Sequence, residues 1–449
     1  MKTFLITYLL ESKRLLNKKT IGLFLFFSLL SLYFVQVGLT NYKNIIGNKK
    51  EFQDIERLKV KQYINYSQYG GYGFRILFIP SPLSIYFVNS STISQLTANV
   101  DSGERLNIYN SFKEGRTLFA NKGGGFKDFS SIMLLLGSLL VLYLGYESFI
   151  HRDYLRLIYG FVDYKRLFFS TVLSRVFILV FLFLLNAGIS LIFLEINGIQ
   201  FSKGEYVHFF IYLVTLVLVL VFFFALGTIA GSLKSGFAGF VMVIISWFVL
   251  VFLFPGIVNT VTSRKADNIV SNYKLELQKL KSLMDFERQS FEELGSTTKD
   301  NIELVRKSVE DFLEKGFPKI HAFEERLSNE MEENVRYFEF LSSLFPSTFY
   351  LSAGNEISSR GYENFILYFD YIRELKKKFF KFYLDRRYYS DASFDAPKKV
   401  ESFIKGNENL FHAKSRTPRG FFLGILLTLV YIVGLFIVSY SRFKQSLCI

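Results

Sequence analysis

Six stretches of the chain are apolar around the whole circumference a helix would have, and the segments between them carry shorter, one-sided patterns. The runs at 21–40, 129–149, 172–194, 208–230, 237–257 and 420–440 each lie near the ~20 residues a helix needs to cross a bilayer. None shows the polar stripe at 3.6-residue spacing that a helix flanking a soluble core would carry. None of the seven prolines falls mid-run; Pro255 and Pro418 stand at run ends. The pattern predicts an all-α polytopic membrane protein with six transmembrane helices.

The intervening segments divide the chain further. Residues 1–20 include "KTFLITYLLESKRLLNKK", with Phe4, Leu5, Tyr8, Leu9, Leu15 and Leu16 near one face and most basic residues on the other. That arrangement predicts an interfacial N-terminal helix lying along the membrane before the first span, 21–40. With no small-residue cleavage site after it, the first run is expected to be a retained span. The 41–128 segment predicts a smaller, mixed unit outside the membrane. Helical spacing at 51–64 gives way to "GGYGFRILFIPSPLSIYFVNSS", where Pro80 and Pro82 forbid a spanning helix. Short strands or a loop resting on the outer leaflet are expected there.

Residues 129–258 hold spans two to five. The 259–418 segment predicts a helical outward domain in its own right. Tyr273, Leu277, Leu280, Met284, Phe291 and Leu294 recur at alternating spacings of four and three; Ile320, Phe323, Leu327, Met331, Val335, Phe338 and Leu341 form a later stripe. These imply helices packed as an antiparallel bundle or hairpin. A last amphipathic helix is expected at 362–390, followed by the sixth span (419–441) and a short tail (442–449).

Charge changes the picture less than its total suggests. The net +14 invites a nucleic-acid reading, but residues 259–418 carry 26 basic and 26 acidic side chains. The excess, 27 basic against 13 acidic, lies elsewhere, and much of it flanks the spans. Basic residues favour the cytoplasmic side. Lys2, Lys13, Arg14, Lys18 and Lys19, then Arg152, Arg156, Lys165 and Arg166, then Lys234, and finally Arg442 and Lys444, share one side of a six-span chain. Both termini are thus expected in the cytoplasm, with 41–128, 196–207 and 259–418 outside and no nucleic-acid partner. The single cysteine, Cys448, excludes an intrachain disulfide.

Enzyme chemistry finds little purchase. There is no G-x-x-x-x-G-K-[ST] phosphate loop, no G-x-S-x-G elbow, and the four histidines are too scattered for a metal site. The many carboxylates of 259–418 have basic neighbours at helical spacing and read as a solvated face. No catalytic residue, metal site or bound cofactor is expected in this chain.

The loop "HRDYLRLIYGFVDYKRL" (151–167) is more informative. As a short helix it would offer an apolar surface from Tyr154, Leu155, Ile158 and Tyr159, with Arg152 and Arg156 as a basic edge. Glu147 lies one to two turns ahead. Such a helix suits a partner with an apolar cleft and an acidic rim; positive-inside charge with interface aromatics is the plainer alternative. Within the spans, Arg175 is expected to snorkel from near the cytoplasmic entry of the third. Asn186, about 16 Å further along, is placed to bond across helices or to line a path, and Glu195 is expected at the outer interface. Gly227 and Gly231 form a G-x-x-x-G on the fourth span, expected to pack against the fifth.

The whole arrangement resembles the permease subunit of ATP-binding-cassette (ABC) exporters of the type-2 class. The resemblance rests on topology and on few residues: Glu147 in "YLGYESFIHRDYLRLIYG" and Ser174-Arg175 in "FVDYKRLFFSTVLSRV". Tyr154-Leu155 stand where many members have Gly-Thr-Leu. The segment "LFPSTFYLSAGNEISSRGYENFILYFDYIRELKKKFF" also resembles outward domains of bacterial permeases of this class. The resemblance implies a bacterial inner-membrane permease with a coupling loop at 150–168. A separate ABC ATPase, holding ATP and Mg, would dock on the 151–160 helix through Glu147, Arg152, Asp153, Tyr154, Leu155, Arg156, Ile158 and Tyr159. It further implies a dimer with a second permease, contact with membrane lipid, and a periplasmic or surface partner for the outward domain. Export of a lipid, peptide or other amphiphile follows as the expected activity. The rival expectation is a non-transporting membrane scaffold or sensor acting through that domain.

Overall fold

A computed structural model describes residues 2–87, 97–102, 107–109, 128–150, 163–233, 235–266, 310–389, 399–404 and 406–447, with isolated positions between 277 and 307. Six helices among them are long and apolar enough to cross a membrane. They are α2 (Lys18–Gln62), α4 (Phe129–Ile150), α5 (Tyr164–Ile196), α6 (Lys203–Gly231), α7 (Gly236–Lys265) and α11 (Phe421–Leu447). A short α1 (Lys2–Leu15) precedes them. It buries Thr7, Glu11 and Leu15 and leaves Ile6, Leu9, Leu10 and Leu16 exposed, an apolar surface suited to an interfacial position.

Helix α2 overruns the bilayer. Asn17 caps it, accepting the Thr20 N–H at 2.8 Å, and its 45 residues extend about 67 Å at 1.5 Å each. The first span and the helical stretch at 51–64 are therefore one helix, whose polar second half stands clear of the apolar zone. The interruptions in α4 and α7 are single π turns, Met133–Gly137 and Val249–Leu253. Such turns release backbone carbonyls from the regular ladder, and neighbouring side chains use carbonyls within both: the Trp247 indole N–H donates to Leu135 O at 3.0 Å, and the Ser347 hydroxyl donates to Leu250 O.

The G-x-x-x-G of the fourth span packs on the second span, which corrects the expected pairing with the fifth. A side chain at Gly227 would stand 2.1 Å from Leu142 O, and one at Gly231 would stand 2.3 Å from Tyr146 O. Gly145 on α4 returns the approach, 2.5 Å from Phe224 O. Two glycine faces thus bring α4 and α6 backbone to backbone, as small-residue motifs do in membranes. The fifth span also comes close to the fourth, where a side chain at Gly239 would stand 2.5 Å from Ala230 O, and its Gly236 O accepts from the Tyr146 hydroxyl at 2.8 Å.

Beyond the spans, opposite α1, lies a distal domain. It contains α3 (Tyr66–Tyr72), α8 (Phe317–Ser343), α9 (Pro346–Ile357) and α10 (Tyr362–Leu384) with four strands, β1 (Phe74–Ile79), β2 (Thr97–Val100), β3 (Asn107–Tyr109) and β4 (Leu410–His412). The sheet order is β3-β2-β1-β4, antiparallel except where β1 runs parallel to β4, Leu77 opposite Leu410. That pairing joins the 41–128 segment to 259–418, so the domain expected to stand alone shares one sheet and one core with its neighbour. The stripe predicted on α8 is present, with Ile320, Leu327, Met331, Val335 and Phe338 buried. Leu327, Met331, Val335 and Phe338 pack with Phe74, Ile76, Phe78, Tyr368 and Phe379. Most of the stripe expected at 273–309 lies outside the described residues.

Of the short strands or surface loop expected around Pro80 and Pro82, the strand is present as β1, but the residues that follow are buried and not at the surface. After β1 the chain turns through a 3-10 turn, Pro82–Tyr86, whose residues Leu83, Ser84, Ile85 and Tyr86 are buried with Phe87 among the spans. Gly38 admits this wedge, since a side chain there would stand 2.0 Å from Ile85 O. The Tyr86 hydroxyl shares a 3.1 Å hydrogen bond with Ser190 on α5, and its ring meets Phe129 and Phe209. Phe87 meets Tyr212 edge-on at 5.0 Å. Aromatic bulk and a satisfied hydroxyl together make burial favourable at this depth.

Candidate functional site

The predicted docking helix, with Arg152, Asp153, Tyr154, Leu155, Arg156, Ile158 and Tyr159, lies outside the described residues. Its two flanks are described, and they are clamped together. Phe149, at the end of α4, stacks on Phe168 of α5 at 5.3 Å and meets Phe443 of α11 at 4.9 Å. Phe168 and Phe443 are 5.6 Å apart, and Tyr164 faces Tyr440 at 5.9 Å. With Leu167 these rings form a separate small core. Three helix ends therefore converge under the elbow, and each aromatic pair adds about 0.5–1.5 kcal/mol beyond its buried area.

Helix α1 is tied to the same region by charge. Arg175 is 1% exposed and meets Glu11 Oε2 with Nη2 at 3.2 Å and Nε at 3.4 Å; its Nη1 donates to Leu144 O at 3.1 Å. Glu11 is also 1% exposed and takes a longer contact from Arg14 at 3.5 Å. Half-buried Glu147 adds its charge to the field at Arg175. The expected snorkelling of Arg175 is thus corrected: about 16 Å into α5 its charge is answered inside the protein. One helical turn nearer the start of α5, the Ser170 hydroxyl donates to Thr7 Oγ1 at 2.8 Å.

The other predicted intramembrane residues also find places. Asn186 is 2% exposed and accepts from the Ser31 hydroxyl at 2.9 Å, a bond between α5 and α2. Glu195 lies at the exposed α5–α6 turn, where the Tyr206 hydroxyl donates to it.

Sequence reasoning missed two features. One is the seat of the distal domain on the spans: Tyr350 of α9 shares a 2.7 Å hydroxyl contact with Tyr212 of α6 and donates to Ser130 O at the head of α4 at 3.2 Å. The other is a set of buried carboxylates. Glu339, Glu356 and Glu363 were expected on a solvated face, yet all three are buried. Their only sequence signal is position: Glu339 directly follows Phe338 in the α8 stripe, and Glu356 precedes the Ser-Ser-Arg-Gly turn.

Comparison with protein-family models, with curated proteins and with solved structures found no match to this chain.

Proposed function

We propose that the chain is the permease subunit of an ABC transporter that exports a lipid, peptide or other amphiphile, driven by a separate ATPase docked on the 151–160 helix. The observation that supports this best is the clamp beneath the elbow. A push on a tether between two independent helices would dissipate. A push on this elbow would meet α4, α5 and α11 joined by Phe149, Phe168 and Phe443, with α1 held through Glu11 and Arg175. The glycine contact of α4 with α6, and the Tyr212–Tyr350 bond of α6 with α9, would carry motion to the distal domain. Glu147 would add to the charge balance at the elbow, as the resemblance implies. Membrane identity, the cytoplasmic placement of both termini and pairing with a second permease belong to the same proposal.

The test is purification of the chain from its native membrane and identification of any ATPase that comes with it. A stable complex with transport-coupled ATP turnover is expected, and Tyr154→Ala, Leu155→Ala and Arg156→Ala together should abolish coupling. Unchanged assembly and turnover in that variant would remove the docking assignment. No bound ATPase at all would favour the scaffold or sensor reading.

A further inference from the structure

Three carboxyl groups from three helices meet above the last span. Glu339 on α8, Glu356 on α9 and Glu363 at the start of α10 are 4, 2 and 9% exposed. One guanidinium reaches Glu363 among them. Arg419, two residues before α11, lies 2.8 Å from Glu363 Oε1 and 2.7 Å from Glu332 Oε1, and it is half exposed. Glu332 has a second partner in Arg336 at 3.0 Å. Glu356 Oε1 accepts the Glu363 backbone N–H at 3.2 Å, and its carboxyl rests against Gly361, where any side chain would overlap it at 2.0 Å. Both oxygens of Glu339 and Oε2 of Glu356 have no hydrogen-bond partner among the described residues. The backbone N–H of Arg419 faces Glu339 without reaching bonding geometry.

The other charged groups on the surrounding elements are engaged elsewhere. Arg360 answers Asp128 at the head of α4, and Lys265 on α7 bonds Glu333 at 3.3 Å. Arg416 contributes its backbone N–H, donated to Glu356 O at 3.2 Å. The Tyr362 ring beside Glu356 is half-buried, its hydroxyl pushed up by desolvation and by the Glu356 charge. Three neighbouring buried carboxylates, only one of them paired with a cation, cannot all ionise at low cost. Burial and the neighbouring Glu363 push the Glu339 acid up to about 7, and burial with both neighbours raises Glu356 well above the usual carboxylate range. A cleft of about 40 Å³ lies alongside, lined by Ser342, Asn355 and Tyr362 among others. These three are close chain neighbours of Glu339, Glu356 and Glu363. At ~10–15 Å³ per water, the cleft has room for about three.

We infer that Glu339 and Glu356 form a proton-binding latch that holds α8 and α9 closed on α10 and the head of α11, beside the Glu363–Arg419 pair. With protons bound, the Glu339 and Glu356 carboxyls pack as neutral acids. When the protons leave, like charges face one another in a buried site, and the helices separate from the last span. The latch is independent of whether an ATPase docks at the elbow. Its sign follows from linkage. A carboxyl whose folded-state affinity for protons is raised stabilises the closed form fully below the unfolded value, ~4.3. That stabilisation is lost as pH rises through about 7.

Spin labels on the full-length protein test this, at Arg326→Cys on α8 and Phe422→Cys on α11 with Cys448→Ser, in lipid nanodiscs. A longer label distance should grow in as pH rises, half complete near neutrality, and should be absent in Glu339→Gln. Glu325→Gln, at an exposed α8 position away from the cluster, should retain the transition. A pH-independent distance, or an undiminished transition in Glu339→Gln, overturns the latch. Should that variant fail to fold, Glu356→Gln carries the same expectation. Infrared titration of the wild-type protein needs no variant: a protonated-carboxyl band must persist in mild acid and lose intensity across neutrality as Glu339 ionises, and its absence in mild acid overturns the proposal.

Discussion

Glu11 and Arg175 form an ion pair in which each side chain is 1% exposed, its closest contact 3.2 Å, across 164 residues of sequence. It fastens α1, which lies outside the six candidate spans, to the interior of α5. Removing one partner leaves a buried charge unanswered, which costs about 3–5 kcal/mol, whereas replacing both with apolar residues of similar volume is near neutral. Glu11→Gln should therefore lower the thermal unfolding midpoint of the solubilised protein sharply. The Glu11→Leu, Arg175→Met double variant should recover most of the loss.

The α4–α6 approach makes a steric prediction. A Cβ at Gly227 would sit 2.1 Å from the Leu142 carbonyl oxygen, an atom of the backbone that cannot swing aside. Gly227→Val should reduce folded yield in membranes several-fold. Gly188→Ala on α5, with open space around it, should be neutral or stabilising by up to ~1 kcal/mol. Fluorescence-detected size exclusion separates the two outcomes.

The buried wedge separates packing from hydrogen bonding. Tyr86→Phe removes only the bond to Ser190 and should cost about 1 kcal/mol. Tyr86→Ala also removes the ring held by Phe129 and Phe209 and should cost about 3–5 kcal/mol. Unfolding midpoints measured in one detergent check the ratio.

The latch has a thermodynamic signature as well as a conformational one. Raising pH from ~5 to ~8 crosses the range in which the Glu339 proton is lost. Melting of the distal domain should fall over that range by on the order of 3 kcal/mol. Glu339→Gln should flatten the dependence, which a pH series of differential scanning calorimetry would reveal.

What could be read in advance followed from short-range physics. Six all-round apolar runs coincide with six long helices, and the heptad-like stripe from Ile320 to Leu341 is the buried face of α8, because helical periodicity is local. Asn186 was legible as a cross-helix bonding residue for the same reason: an amide at that depth needs a partner. Arg175 was misread because its partner is Glu11, a carboxylate in a basic, surface-like leader. Gly227 and Gly231 revealed a close approach but not which helix makes it. The wedge at 82–86 and the β1–β4 pairing depend on contacts tens to hundreds of residues apart, which no local pattern reports. The carboxylates at 339, 356 and 363 are ordinary helix-surface residues until three helices fold against Arg419.

Site-specific photocrosslinking from Leu155 in intact cells tests the central claim most directly. The account predicts one dominant adduct, whose partner is an ATPase subunit carrying a nucleotide-binding loop, while a probe at Arg326 on the distal domain captures no ATPase. Absence of that adduct at Leu155, with the residue instead labelled by a membrane-impermeant reagent applied from outside, would contradict it.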